Sequence, residues 1–231
     1  NTANNAHVNL FSLAGGPAFA VDGTINSVNI GKGANSVAGN TVLGEGALDA
    51  SVSGGLNTAI GKNALTSNTS GASNTALGLS SLFSNTTAGN NTAIGTNTLL
   101  VNTTGSSNTA VGFTSLSANT TGANNVAVGS QSLDASTTGN KNTAIGRMAL
   151  SANTTAHDNT AVGGDSLLLN TTGAQNVAVG SNALDANTTA SNNTGVGFAA
   201  LGANTTGTQN TAVGALALDA NTTATGNSAF G

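Results

Sequence analysis

The chain repeats one phrase of seventeen residues, without insertion or deletion, from Asn40 to Gly231. Counted from Asn40 as position 1, every period begins with Asn and carries an apolar residue at position 4 and Gly at position 5. Position 9 is Leu in all eleven complete periods. A disordered linker has no reason to hold an apolar residue in strict phase, so this periodicity predicts an ordered stack of repeats.

The length of the period limits what each repeat can be. Two helices and their turns need about 33 residues or more, so a helical repeat does not fit. The apolar residues come in short bursts, such as TAIG at 58–61 and AL at 64–65, separated by Gly, Asn, Ser and Thr. This pattern favours three- or four-residue strands joined by turns, with one coil per period. The sequence therefore predicts an all-β parallel β-solenoid, or β-roll, of about eleven coils.

Stacking such coils at about 4.8 Å places like residues above like residues in columns. We expect the Leu column of position 9 and the apolar column of position 4 to form the core. Because side chains alternate along a strand, position 3, which is Ala in ten of twelve cases, would then face outward and pack against a neighbouring surface. The predicted core residues are Leu65, Leu82, Leu99, Leu116, Leu133, Leu150, Leu167, Leu184, Leu201, Leu218, Ile60, Ile94, Val111 and Val128.

The polar columns are expected to be structural as well. Glycine at position 5 suits a turn with positive φ or a close approach of two backbones, and Asn at positions 1 and 12 can form side-chain amide ladders. The Asn-Thr-Thr triplets of positions 12–14 also match an N-glycosylation acceptor, but the repeat phase makes that match automatic. The predicted turn glycines are Gly61, Gly78, Gly95 and Gly112, and the predicted ladder residues are Asn57, Asn74, Asn91 and Asn108.

Two regions follow from the repeat phase. Residues 1–25 lack it and are interpreted as an N-terminal cap or a junction with an upstream domain. Residues 26–231 are assigned to the solenoid, with strict phase from residue 40. The stretch 26–34 is similar to a coil of shorter period, because its Ile-Gly pair precedes Leu43-Gly44 by thirteen residues. The final period stops after five residues, so we expect the array to continue in a longer protein.

The composition leaves little material for catalysis. Charged residues make up 5% of the chain, and Cys, Trp and Tyr are absent. A net charge of −4 with four cationic side chains argues against nucleic-acid binding, and no apolar run approaches the ~18 residues of a membrane span. The adjacent His157 and Asp158 fall at variable turn positions, and the Asp residues of position 10 lie too far apart to share a cation. We therefore expect neither an enzyme nor a cofactor.

Two outward features leave other kinds of binding open. Phe83, Phe113 and Phe198 are interpreted either as fillers of a groove between chains or faces, or as ligand contacts. The Thr column of position 13 fits a further class of protein, since regular Thr ladders on a flat solenoid can order water and bind ice.

The phrase N-[TSV]-A-[IV]-G-x-x-[AS]-L occurs as NTAIGKNAL at 57–65, NTAVGFTSL at 108–116 and NVAVGSQSL at 125–133. It resembles the head repeats of trimeric autotransporter adhesins of the YadA type, in which such segments build a left-handed parallel β-roll and three chains associate side by side. The longer period with its NTTG turn is more similar to repeats in bacteriophage tail fibres, including those of marine cyanophages. The resemblance covers about residues 26–231, and the period of seventeen departs from the adhesin's usual fourteen or so.

This resemblance implies a homotrimeric, left-handed fibre segment of a virion, which would hold an adsorption tip away from the particle. The implied partners are two further copies of the chain, other tail or baseplate proteins, and a host-surface glycan or protein bound by a tip outside this segment. The alternative is the head or stalk of a bacterial trimeric surface adhesin, and a second alternative is an ice-binding β-solenoid.

Overall fold

The computed structural model describes residues 23–25, 27–50 and 52–231. Within these residues one sheet of fourteen strands forms, and its strands follow one another in chain order. A single 3₁₀ turn, Ala34–Ser36, lies between the second and third strands. The strands are β1 Gly23–Ile25, β2 Val28–Gly31, β3 Thr41–Gly44, β4 Thr58–Ile60, β5 Thr75–Leu77, β6 Thr92–Ile94, β7 Thr109–Val111, β8 Val126–Val128, β9 Thr143–Ile145, β10 Thr160–Val162, β11 Val177–Val179, β12 Thr194–Val196, β13 Thr211–Val213 and β14 Ser228–Phe230.

From β3 onward every pairing is parallel and shifted by one period. In β4 and β5, Ala59 pairs with Ala76 and Ile60 pairs with Leu77, and the same register continues to β14. Each coil contributes one short strand, and turns complete the rest of its circumference. The chain is therefore an all-β parallel β-solenoid with coils of seventeen residues, as the repeat phase predicts.

Axial hydrogen bonds continue around the coil outside the strands. The N–H of Leu65 donates to the carbonyl of Ser81 in the next coil at 3.0 Å, and the N–H of Gly78 donates to Ile60 in the coil before at 2.8 Å. The turn of positions 12–14 is joined in the same way, with Thr69 N–H donating to Thr86. The turns thus satisfy their buried backbone groups by stacking, as the strands do.

The start of the array differs from the expected short coil. β2 pairs antiparallel with β3, with Ile30 opposite Leu43, and β1 pairs antiparallel with β2. The chain reverses between β2 and β3 through Gly33, Asn35 and Gly39, which all have positive φ. The parallel solenoid therefore begins at Thr41 and not at residue 26. The predicted cap at 1–25 lies outside the described residues, apart from β1.

The interior is built from two apolar columns on opposite sides of the coil. Position 9 supplies a fully buried Leu in every coil from Leu48 to Leu201, and Leu218 is partly buried. The facing column is position 3, whose Ala side chains from Ala59 to Ala212 have no exposed surface. A large side chain from one wall thus meets a small one from the other, which fills a narrow coil at the close packing of protein interiors.

The prediction for positions 3 and 4 was wrong in its direction. Ala at position 3 faces inward, and the apolar residues of position 4 face outward with partial exposure. Ile60, Ile94, Val111 and Val128, which the sequence places in the core, belong to this outward column. Strand alternation allows either assignment. The size of the interior favours the small residue, because the Leu of position 9 already fills most of each coil; the first coil alone holds a larger inward residue at position 3, Val42.

The four turn glycines have φ between 126° and 138°, where a side chain is strained. They also stack closely on one another: a Cβ on Gly95 would lie 2.6 Å from the carbonyl oxygen of Gly112 in the next coil. Both reasons given for glycine at position 5 therefore hold at once.

Asparagine side chains form two buried ladders along the axis. In the position-1 ladder, Asn57 Oδ1 accepts the backbone N–H of Asn74 at 2.9 Å, while Asn74 Nδ2 donates to the carbonyl of Ala88 at 2.9 Å. Asn91 and Asn108 repeat this pattern. In the position-12 ladder, Asn85 Nδ2 donates to Asn68 Oδ1. Because the position-12 amides from residue 68 to 204 are fully buried wherever the residue is Asn, those triplets serve the fold and are closed to a glycan.

The neighbouring glycines Gly163 and Gly164 separate the effect of position 5 from a general effect of adding a methyl group. Gly163 has φ of +137°, and a Cβ there would lie 2.5 Å from the carbonyl of Gly180, whereas a Cβ on Gly164 would meet nothing within 4 Å. We expect Gly163→Ala to cost about 1–3 kcal/mol from backbone strain alone and Gly164→Ala to stay within about 0.5 kcal/mol. Equilibrium unfolding in denaturant measures both, and equal losses in the two variants would contradict the assignment.

The ladder of position 1 makes a second prediction. Asn108→Ala removes the acceptor of the Asn125 N–H and leaves that group buried without a partner, while the Gly122 carbonyl loses one of its two donors and keeps Asn119 Nδ2. At about 1–3 kcal/mol for one unsatisfied buried group, the free energy of unfolding should fall by about 1–3 kcal/mol. Asn124→Gly is the control, because Asn124 is exposed and its φ of 60° suits glycine. Circular dichroism during thermal unfolding should show a large drop in midpoint for the first variant alone.

Candidate association surface

The outward face of the parallel sheet carries a continuous apolar strip, which we define as position 4 of every coil. Its exposure reaches 46% at Leu43, 43% at Leu77 and 40% at Ile145. Position 2, the other outward residue of each strand, is Thr in most coils and Val in β8 and β11. The strip consists of Leu43, Ile60, Leu77, Ile94, Val111, Val128, Ile145, Val162, Val179, Val196, Val213 and Phe230.

The apolar strip differs from the other outward columns in its lack of polar substitutions. Position 6 varies from Glu45 and Lys62 to Phe113, and position 17 includes Lys141 and Asp158. Along the twelve strands of the parallel sheet, positions 2 and 4 contain no charged residue and no amide. A column facing water has no physical reason to stay apolar at every repeat, so this pattern is typical of a surface that another surface covers.

The phenylalanines named from the sequence lie apart along the coil axis. Phe113 and Phe198 project at position 6 with 56% exposure each, just beyond the glycine corner that borders the apolar strip. Leu79 occupies the same column at 46% exposure. Phe83 is half-buried at position 10 on another side of the coil. The structure thus places two of the three beside the strip, and it does not bring the three together into one pocket.

The threonines of position 13 are tied to the backbone. Thr86 Oγ1 donates to the carbonyl of Thr103 at 3.2 Å, and Thr103 Oγ1 donates to Thr120 at 3.0 Å. The same bond recurs as far as Thr205. These hydroxyls use their protons to join one coil to the next, so the column reinforces the stack and offers few donors to an external water lattice.

The charged side chains make isolated surface pairs. Lys62 lies 3.1 Å from Glu45, and Arg147 lies 2.6 Å from Asp165, each linking adjacent coils at the corner after position 5. Such exposed pairs contribute little to stability. His157 Nδ1 contacts the Asp158 carboxylate at 2.7 Å in an exposed turn.

Two kinds of site are absent from the part of the chain that the structure describes. There, no three side chains of His, Cys, Asp or Glu come close enough to hold a metal ion. Across the same residues, no helix has the length and apolar character needed to cross a membrane.

The left-handed backbone positions were not predicted from the sequence. Besides the position-5 glycines, positions 7, 9 and 17 of nearly every coil have φ near +50° to +60°, including buried Leu82 and Leu116 at 51° and 52°. Positions 7 and 17 did carry a signal, because Asn, Asp, Ser and Gln recur there and Asn and Asp tolerate this conformation best. Position 9 carried none, since leucine rarely adopts it.

No protein-family model, no curated protein and no solved structure matches this chain.

Proposed function

We propose that this chain is a structural segment of a bacteriophage tail or receptor-binding fibre, in which three copies associate side by side along their apolar strips. The virion location and the trimer come from the resemblance of the repeat phrase to tail-fibre and adhesin-head repeats. The function of the segment is mechanical, and it requires neither catalysis nor a cofactor. Other tail or baseplate proteins would flank it, and a tip outside these residues would bind the host surface.

The observation that carries the proposal is the uninterrupted apolar strip on a rod whose other exposed apolar residues, such as Leu169 and Leu216, occur singly in columns that vary. Val111 and Val128 stand in this strip, where every residue of position 4 remains apolar although outward columns beside it accept Lys, Glu, Asp and Asn. At about 25 cal/mol for each Å² of apolar surface removed from water, covering a strip that spans the whole parallel sheet contributes substantially to association.

A second copy of the chain is the partner that fits this strip best. The side chains of the apolar strip recur along the axis at the spacing of neighbouring strands, about 4.8 Å. Only a surface with the same spacing can interdigitate with the strip along its full length, and another copy lying parallel provides that spacing. Closed rotational symmetry about an axis parallel to the coils gives every strip the same environment. Phe113 and Phe198, just beyond the corner, would then line the edge of the interface.

The head or stalk of a bacterial trimeric adhesin is the second candidate, favoured by the same phrase, NTAIGKNAL at 57–65. The apolar strip would serve the same purpose there, but outward columns would contact host surfaces directly. Binding of the purified segment to host-cell extracts separates the two, because a spacer rod has no affinity of its own.

Solution mass tests the association. Light scattering after size exclusion should give about 66 kDa, three times the 21.9 kDa of one chain. A mass of one chain would contradict the proposal.

Matched lysine variants test the surface. Val111→Lys with Val128→Lys places two charges on the apolar strip and should shift the mass toward one chain. Thr104→Lys with Thr121→Lys adds the same charges at exposed position 14 and should leave the mass unchanged. Circular dichroism checks that both proteins keep their sheet. If both double variants dissociate to the same extent, or if neither dissociates, the apolar strip is not the interface.

A further inference from the structure

The position-12 ladder is interrupted at a single coil. From residue 68 to residue 221 position 12 is Asn in every coil except one, where it is Ser136. Before the break, Asn119 Nδ2 donates to Asn102 Oδ1 at 2.7 Å. After it, Asn170 Nδ2 donates to Asn153 Oδ1 at 3.2 Å. The serine hydroxyl is too short to continue the chain of amides in either direction.

The break leaves buried polar groups without partners. Among the described residues, three buried side-chain oxygens or nitrogens make no hydrogen bond, and two of them are Asn119 Oδ1 and Ser136 Oγ, adjacent in this column. Both side chains are fully buried. On the other side, Asn153 Nδ2 donates to the carbonyl of Ala156 at 3.2 Å, and its second proton lacks the ladder acceptor that Asn85 and Asn102 supply elsewhere.

We propose that the break at Ser136 is a binding site for one internal water molecule. The water takes the place of the missing amide nitrogen, which in intact coils donates to the preceding Oδ1 and to the carbonyl three residues on, as Asn102 Nδ2 does. It donates one proton to Asn119 Oδ1 and the other to the carbonyl of Gly139, and its oxygen accepts the proton of Ser136 Oγ. A buried water in a protein generally makes about three hydrogen bonds, and this one satisfies both oxygens of this column that lack a partner. A buried polar group without a partner destabilises the fold, so these two oxygens favour binding of the water.

The size of the substitution suits this ligand. Serine has two non-hydrogen atoms fewer than asparagine, while the coils on either side keep the spacing that an amide requires. The space is therefore that of part of an amide group, close to one water, whose share of liquid volume is about 30 Å³. A metal cation is a poor occupant, because the amide, hydroxyl and carbonyl oxygens here are neutral and no carboxylate lies among them.

A crystal structure of the segment at a resolution that shows ordered water is the direct test. We expect one peak within hydrogen-bonding distance of Asn119 Oδ1, Ser136 Oγ and the carbonyl oxygen of Gly139. A map in which no peak lies there, or in which Ser136 bonds directly to Asn119, would overturn the proposal.

Two variants test the energetic side. Ser136→Asn should replace the water by an amide and restore the ladder, which raises the thermal midpoint by about 2–4 °C if one net hydrogen bond is gained. Asn170→Ser is the matched control, since it opens the same break in an intact part of the ladder. It should lower the midpoint and create a second water peak. A Ser136→Asn midpoint at or below that of the parent, with the amide seen in the ladder, would mean that the break leaves nothing unsatisfied.

Discussion

The whole structure depends on one constraint, which is that each coil finds its hydrogen-bond partners in the coil seventeen residues away. Thr75 N–H meets Asn91 and Leu82 N–H meets Thr98, and the turns pair in the same way as the strands. One inserted residue would shift every later column relative to the one beneath it. The absence of any insertion after residue 40 is therefore a requirement of the backbone, since both neighbours of a coil would lose their partners together.

This constraint also explains how so polar a chain can have an ordered interior. Each coil buries a leucine and a few small residues, which is a modest apolar contribution. The remaining interior positions hold asparagines whose amides satisfy turn backbone that no strand reaches, as Asn74 does for Ala88. The leucines themselves adopt left-handed φ, at about 1–2 kcal/mol each. Burying a leucine side chain stabilises the fold by about 1.5–3 kcal/mol. This gain offsets the backbone strain, so the left-handed turn forms only where its leucine is buried.

The sequence predicted the features that follow from the seventeen-residue period. It failed to predict features for which the same period is compatible with more than one backbone or side-chain arrangement. Columns, turn glycines and amide ladders follow from stacking, so Gly95 and Asn74 were assigned correctly. The seventeen-residue period does not say which residues of a strand face inward. Assigning Ala59 to the interior and Ile60 to the surface required knowledge of the width of the coil. The antiparallel pairing of β2 was not predicted, because its Ile-Gly pair matches the repeat phrase. The composition of a short strand also does not indicate whether it pairs parallel or antiparallel.

That reversal of Ala59 and Ile60 changes what kind of surface the molecule offers. With alanine outside, two rods could approach closely but would bury little apolar area. With isoleucine and valine outside, each rod has a ridge of branched side chains at a fixed spacing, opposite a wall of polar turns. A binding site for a small ligand needs a unique cluster of groups, whereas this ridge is the same at every level. Such a surface suits a partner of the same length and period, which is why the proposed partner is another copy of the same rod.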